Sequence, residues 1–222
     1  MSKIYVGETP ISAVFMGGKR YGVRVGYDRL LPVGYTQLEY IEATGTQYID
    51  TGIYCSNMLS VSLKMQFTSS VNNQFNGAIL DDGGMLKRYH VGIPYDSSVF
   101  SIELQNTQVV TASSNIHINE YYISSTKCQI NNIIKTGNWS TNLPDTLTFW
   151  LFYRNGAGRE SWTHKYCQAK LYSCQLWENN NLVRDFIPVT RVSDLIIGLY
   201  DTVSKTFFTD ANGGNFIGGD PV

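Results

Sequence analysis

Residues 60–68, SVSLKMQFT, alternate strictly, with Val61, Leu63, Met65 and Phe67 apolar and Ser62, Lys64 and Gln66 polar between them. A period of two marks a strand with one face buried. Residues 98–104, SVFSIEL, repeat the pattern with Phe100, Ile102 and Leu104. Residues 146–152, TLTFWLF, are apolar at nearly every position, as expected of a central strand covered on both faces. Further strands are expected at 35–42, 46–53, 86–92, 108–112, 116–123, 126–130, 133–136, 166–177, 182–187, 195–200 and 205–209. Turn residues separate them: Asp82-Gly83-Gly84, Asn131-Asn132, Gly156-Ala157-Gly158, Asn179-Asn180-Asn181 and Asn212-Gly213-Gly214. Helical periodicity never extends beyond about two turns. The pattern predicts an all-β chain of two packed antiparallel sheets, a β-sandwich or jelly roll. Within it, Pro188 is expected to end the 182–187 strand, because proline lacks an N–H for the ladder.

The first 30 residues read as a separate unit. Ile4, Val6, Ile11, Val14, Val23 and Val25 fall in three short runs, and Gly17-Gly18 predicts a hairpin between the last two. Such a unit is too small to bury its own apolar face, so these six residues are a candidate assembly surface, against the sandwich or another chain. Residues 27–32, YDRLLP, read as a linker, which divides the chain into residues 1–30 and residues 31–222.

Composition narrows the function. Seventeen basic residues against 18 acidic ones leave a net charge of −1, without the basic surplus that nucleic acid or an anionic membrane would require. No apolar run approaches the ~20 residues of a membrane span. MSKIYVGETP lacks the apolar core of a secretory signal, so synthesis in the cytoplasm is expected. Cys55, Cys128, Cys167 and Cys174 have no zinc spacing and read as buried or half-buried thiols. Cys167 and Cys174 are seven apart, which on one straight strand places them on opposite faces.

Catalytic patterns are thin. Retaining glycosidases set two carboxyl groups ~5 Å apart on one strand face, as in Glu-x-Asp-x-Glu. None of the seven glutamates here precedes an aspartate by two, and Glu39 and Glu42 fall on opposite faces. His90, His117 and His164 lie far apart without an obvious acidic partner, and no G-x-S-x-G accompanies them. Asp81-Asp82-Gly83-Gly84 offers too few oxygens for calcium and reads as a solvated turn. Neither a cofactor nor a metal is expected. A binding surface remains, since sugar recognition uses aromatic faces and polar partners on loops held by a rigid scaffold. Trp139, Tyr153, Arg154, Arg159 and Trp162 are the candidates, with Tyr89 and Tyr95 behind them. Against this stands a purely structural role, in which Trp139 and Trp162 cap the open edges of the sandwich.

Two end motifs add a resemblance. LPVGYTQLEYIEATGTQYIDTGI near the start, and AKLYSCQLWENNNLVRDFIPVTR with LIIGLYDTVSKTFFTDANGGNFIGG near the end, bracket residues 31–219. They resemble structural proteins of phages and prophages of gut bacteria that carry a concanavalin-A-like, laminin-G-like sandwich. KIYVGETPISAVFMGGKRYGVRVG also looks like short β-units of phage structural proteins. The resemblance implies a concanavalin-A-like jelly roll on a non-enzymatic virion subunit: a fibre, decoration or tail-associated protein. It further implies a homo-oligomer, a trimer favoured, joined to other virion proteins through the N-terminal unit and reaching for bacterial surface glycan. The alternatives are a module whose main role is glycan binding and, behind it, a glycoside hydrolase of the same fold.

Overall fold

Strand formation follows the alternation closely where the pattern is clean. In Leu59–Phe67 the odd-numbered residues are buried and the even ones are half-buried or exposed. The computed structural model describes residues 31–69, 74–82, 85–94, 99–113, 117–156 and 166–222. Before them it describes the backbone of four short strands, Ile4–Val6, Thr9–Ile11, Ala13–Met16 and Lys19–Gly22. Met16 pairs with Lys19 across Gly17-Gly18, so the expected hairpin is present. Val23 and Val25 lie outside the described residues.

Two sheets carry the main body, and among the described residues there is no helix. The seven-stranded sheet runs in the order Thr107–Ser113, Val99–Gln105, Met85–Ile93, Gln74–Asp82, Thr148–Leu151, Ile49–Tyr54. The two-residue strand Arg154–Asn155 joins it in parallel beside Gly77 and Ala78. The eleven-stranded sheet runs Ile133–Thr136, Lys127–Ile130, Asn119–Ile123, Leu59–Phe67, Gln168–Glu178, Asn181–Arg191, Ile197–Asp201, Thr206–Phe208. Tyr35–Gln37, Ile41–Thr44 and Ile217–Gly218 attach to its middle. One continuous core joins residues of both sheets, including Phe67, Tyr89, Phe100, Phe149 and Phe186. The architecture is an antiparallel β-sandwich.

Four local features depart from the sequence reading. Cys167 and Cys174 are both fully buried in the same core, because a β-bulge at Tyr172 shifts the register between Leu171 and Ser173. The extra residue reverses the facing of all that follows, so Ala169 and Leu171 point inward before it and Cys174 and Leu176 after it. Pro188 does not end its strand, which continues to Arg191. It sits where the neighbour on one side changes from Gln168–Glu178, last paired at Phe186, to Tyr35–Gln37, first paired at Val189. A missing N–H there interrupts no ladder.

The third departure is Gln74–Asp82, a strand in a stretch without apolar alternation. Its Asn76 is buried, and its side-chain oxygen accepts the Phe152 N–H at 2.7 Å. Gly77 holds φ +123°, and a Cβ there would sit 2.1 Å from the Tyr89 carbonyl oxygen. Asp82 pairs with Met85, so the aspartate belongs to the ladder. Finally, Asn181 opens a strand, and only Asn179 (φ 49°) and Asn180 (φ 64°) make the turn. Two left-handed residues between the paired Glu178 and Asn181 form the type I′ hairpin suited to strand twist.

All four thiols are free and buried. Burial raises each one, Cys128 to about 12 despite its hydrogen bond to Ser124. Thiolate is the reactive form, so none of the four should react with iodoacetamide at pH 8 in the native protein. All four should react in denaturant. Mass spectrometry of native and denatured samples checks this, and labelling of one native cysteine would contradict the packing described.

Candidate functional site

The outer face of the seven-stranded sheet carries a polar and aromatic row in direct cross-strand register. Asp50 lies opposite Trp150, Trp150 opposite Gly77, Gly77 opposite His90, His90 opposite Glu103, and Glu103 opposite Gln108. The row divides at Gly77 into an aromatic half and a charged half.

Four rings form the aromatic half. Tyr48 stacks on Trp150 at 4.5 Å between centroids, Trp150 on Tyr153 at 5.7 Å, and Tyr153 on Tyr166 at 4.3 Å. Polar groups hold the ladder in place. The Trp150 indole N–H donates to Thr148 Oγ1 at 2.9 Å, and the Asn155 amide donates to the Thr148 carbonyl oxygen at 3.1 Å. The Asn212 amide donates to the Thr46 carbonyl oxygen and to the Tyr166 hydroxyl, at 2.7 and 3.1 Å. Asp210 is buried and accepts the N–H groups of Tyr48, Asn212 and Gly214, which ties the C-terminal loop to the ladder. Tyr48, Trp150 and Tyr166 are each half-buried, so their rings meet both protein and solvent.

The charged half is buried although it lies on the outer face. His90 is fully enclosed and its Nε2 lies 3.1 Å from Glu103 Oε2. Arg88 reaches the same oxygen at 3.0 Å, while Ser101 and Gln108 donate to Oε1 at 3.1 and 3.4 Å. Arg154 lies within electrostatic range of Glu103 and Arg88. Burial depresses His90 to about 4, against the pull of Glu103, so the imidazole is neutral at pH 7 and its N–H donates to the carboxylate. Burial would raise Glu103, but the His90 hydrogen bond and Arg88 outweigh it and hold the carboxyl at about 2. Burial draws Arg154 down to about 10, still protonated at neutral pH.

This geometry corrects the reading of His90 as a strand histidine without an acidic partner. Its partner comes from the neighbouring strand, 13 residues on. The cluster does not form a nucleophile–base pair, because the Ser101 hydroxyl donates to Glu103 and not to the imidazole. Asp50 and Glu103 share the face but stand four strand spacings apart, ~19 Å, against the 5–10 Å of glycosidase pairs. Among the described residues no group of three or more His, Cys, Asp or Glu could hold a metal ion.

Of the sequence-derived candidates, Tyr153 and Arg154 come together here, one in each half of the row, but both are buried, so the expectation of an exposed binding side chain does not hold for either. Trp139 stands apart, partly buried against the core, with its indole over Gly137 and its backbone N–H donating to the Ser125 carbonyl oxygen at 2.7 Å. Tyr89 is fully enclosed, and its hydroxyl donates to the Leu59 carbonyl oxygen at 2.8 Å. Arg159, Trp162 and Tyr95 lie outside the described residues. Sequence reasoning missed Tyr48, Trp150 and Tyr166. For Trp150 the signal was present, since Thr148 two residues earlier marks that side of the strand as the outer one.

Comparison with protein-family models, with curated proteins and with solved structures finds no match to this chain.

Proposed function

We propose that the chain is a non-enzymatic virion subunit of a phage, a fibre, decoration or tail-associated protein, whose concanavalin-A-like jelly roll holds bacterial surface glycan. The N-terminal unit would join it to other virion proteins, in a homo-oligomer for which a trimer is favoured. The motifs bracketing residues 31–219 support the class by resemblance. The observation that carries the glycan reading is the ladder of Tyr48, Trp150, Tyr153 and Tyr166, with amide and hydroxyl groups of Asn155, Asn212 and Thr148 at its edges. Sugars present apolar C–H faces and hydroxyl rims, and ring faces beside fixed amides match both. Trp150 lies within the strand Thr148–Leu151, and Tyr48, Tyr153 and Tyr166 sit one or two residues before the strands Ile49–Tyr54, Arg154–Asn155 and Gln168–Glu178.

A glycan array probed with the full chain tests this reading, beside Trp150→Ala and Tyr166→Ala. Wild-type protein should retain a bacterial polysaccharide, and each variant should bind at least tenfold more weakly with its circular dichroism unchanged. Retention of nothing by wild-type protein, on the array or on whole bacterial cells, would sink it. Light scattering on the same sample reads the oligomeric state, and a monomer at micromolar concentration would remove the trimer.

A further inference from the structure

A second, smaller core lies on the outer face of the eleven-stranded sheet. Ile187, Val189 and Tyr200 are buried there beneath Leu31, Tyr35 and Phe207. Tyr35 stands 4.9 Å from Tyr200 and 5.6 Å from Phe207, ring centre to ring centre. Two of the covering residues, Leu31 and Tyr35, belong to the segment that follows directly on the N-terminal 30 residues. The chain thus begins its main body by building a patch of core on the outside of its own sandwich.

The rim of that patch is apolar and open. Leu195 is 74 % exposed and Val33 69 %, the two highest values among the described large apolar residues, and Val192 is 38 % exposed. They lie on neighbouring turns: the Val192 N–H donates to the Gly34 carbonyl oxygen at 2.8 Å, and the Leu195 N–H to that of Arg191 at 2.9 Å. Leu195 also holds φ 61°. Leucine seldom takes this left-handed conformation, which glycine or asparagine occupies with less strain.

The occupant is indicated by what precedes Leu31. The four N-terminal strands pair as two separate two-stranded ribbons, with Ile4 opposite Ile11 and Val14 opposite Tyr21. Isolated ribbons of three or four residues per strand need a further surface to be stable. Residues 23–30 are the whole tether between them and the patch, at most ~27 Å of chain. So short a tether keeps the ribbons at millimolar effective concentration, at which a small apolar contact suffices. We infer that Val33, Val192 and Leu195 form the seat on which this chain's own N-terminal ribbons dock, extending the small outer core. The sandwich would then project from the N-terminal unit at a fixed angle, whether or not its aromatic face binds glycan.

Hydrogen exchange on the full chain tests the seat. Amides within Ile4–Ile11 and Ala13–Gly22 should be protected, to the same degree at 1 and 50 μM protein. Leu195→Glu should lower that protection at least tenfold while amides of Leu59–Phe67 stay unchanged. Leu195→Gly separates docking from local strain. It relaxes the backbone, yet by removing the side chain it should also lower N-terminal protection. Protection that survives both substitutions would overturn the proposal, as would its absence in the wild type. Protection that falls on dilution would assign the seat to a second copy instead.

Discussion

Replacing Asp201 by alanine should destabilise the protein by about 3–5 kcal/mol, read as a lower denaturant midpoint at unchanged slope. Asp201 is fully buried at the end of Ile197–Asp201, and its carboxylate gathers four donors. The Asp185 N–H donates to Oδ1 at 2.8 Å and the Val203 N–H at 3.1 Å. The Ser204 N–H and hydroxyl donate to Oδ2 at 3.1 and 2.6 Å. Arg184 adds its charge at 3.7 Å, while its Nε–H also donates to the Thr51 carbonyl oxygen on the edge strand of the other sheet. One carboxylate therefore shapes the turn into Thr206–Phe208, completes the ladder at Asp185 and orients an arginine that bridges the sheets. Alanine would leave the buried Asp185 N–H unsatisfied and Arg184 without its counter-charge. Asparagine keeps one acceptor oxygen and should restore about half the loss. If D201A and D201N proved equally mild, below ~1 kcal/mol, the carboxylate would not have this role.

The Asp201 turn falls in the gap between the strands expected at 195–200 and 205–209, and it is local: aspartate before a turn, followed by a resumed apolar run, is a short-range signal. Much of the fold was legible for the same reason. Leu59–Phe67 carries its facing in its alternation, and Asn179-Asn180 its turn in two residues that tolerate the left-handed conformation. What sequence could not convey depended on partners distant along the chain. Pro188 reads as a strand end until Tyr35–Gln37 is known to take over as neighbour just past it. Cys167 and Cys174 read as opposed until the bulge at Tyr172 is placed by pairing with Leu59–Phe67. Gln74–Asp82 is specified by Asn76 reaching Phe152 and by Gly77 admitting the backbone of Tyr89, neither of which leaves a periodic trace.

The candidate site shows the same division. Tyr153 and Arg154 drew notice as aromatic and basic residues in a Gly/Asn-rich segment. Tyr48, Trp150 and Tyr166 come from three separate segments, and only the sheet brings their rings together. His90 and Glu103 are likewise joined by strand register alone.

That pair should make the protein acid-labile in two successive pH windows, with a combined loss on the order of 6 kcal/mol between pH 7 and pH 2. His90 in the fold binds its proton only near pH 4, against 6.5 for the free side chain, because burial disfavours the imidazolium. Between those values the unfolded chain takes a proton that the native state refuses, so stability falls as pH drops from 6.5 to 4. Glu103 holds its charge down to about 2, against 4.5 when free. Its contribution is complete above pH 4.5 and is lost as pH falls toward 2. The two effects share a sign, so the decline continues from one window into the next. His90→Gln, whose amide can still donate to Glu103, should flatten the profile between pH 6.5 and 4 and leave the lower window in place. Glu103→Gln should act oppositely. It removes the lower window, and at pH 7 it costs about 3 kcal/mol because Arg88 and Arg154 lose their shared counter-charge. Denaturant titrations of the three proteins at half-unit pH steps would decide the matter. Parallel curves for wild type and His90→Gln from pH 7 to 4 would mean that His90 is not held neutral by burial. The charged half of the row would then be open to water, and the face beside the aromatic ladder would be a wetter and more adaptable surface than its packing implies.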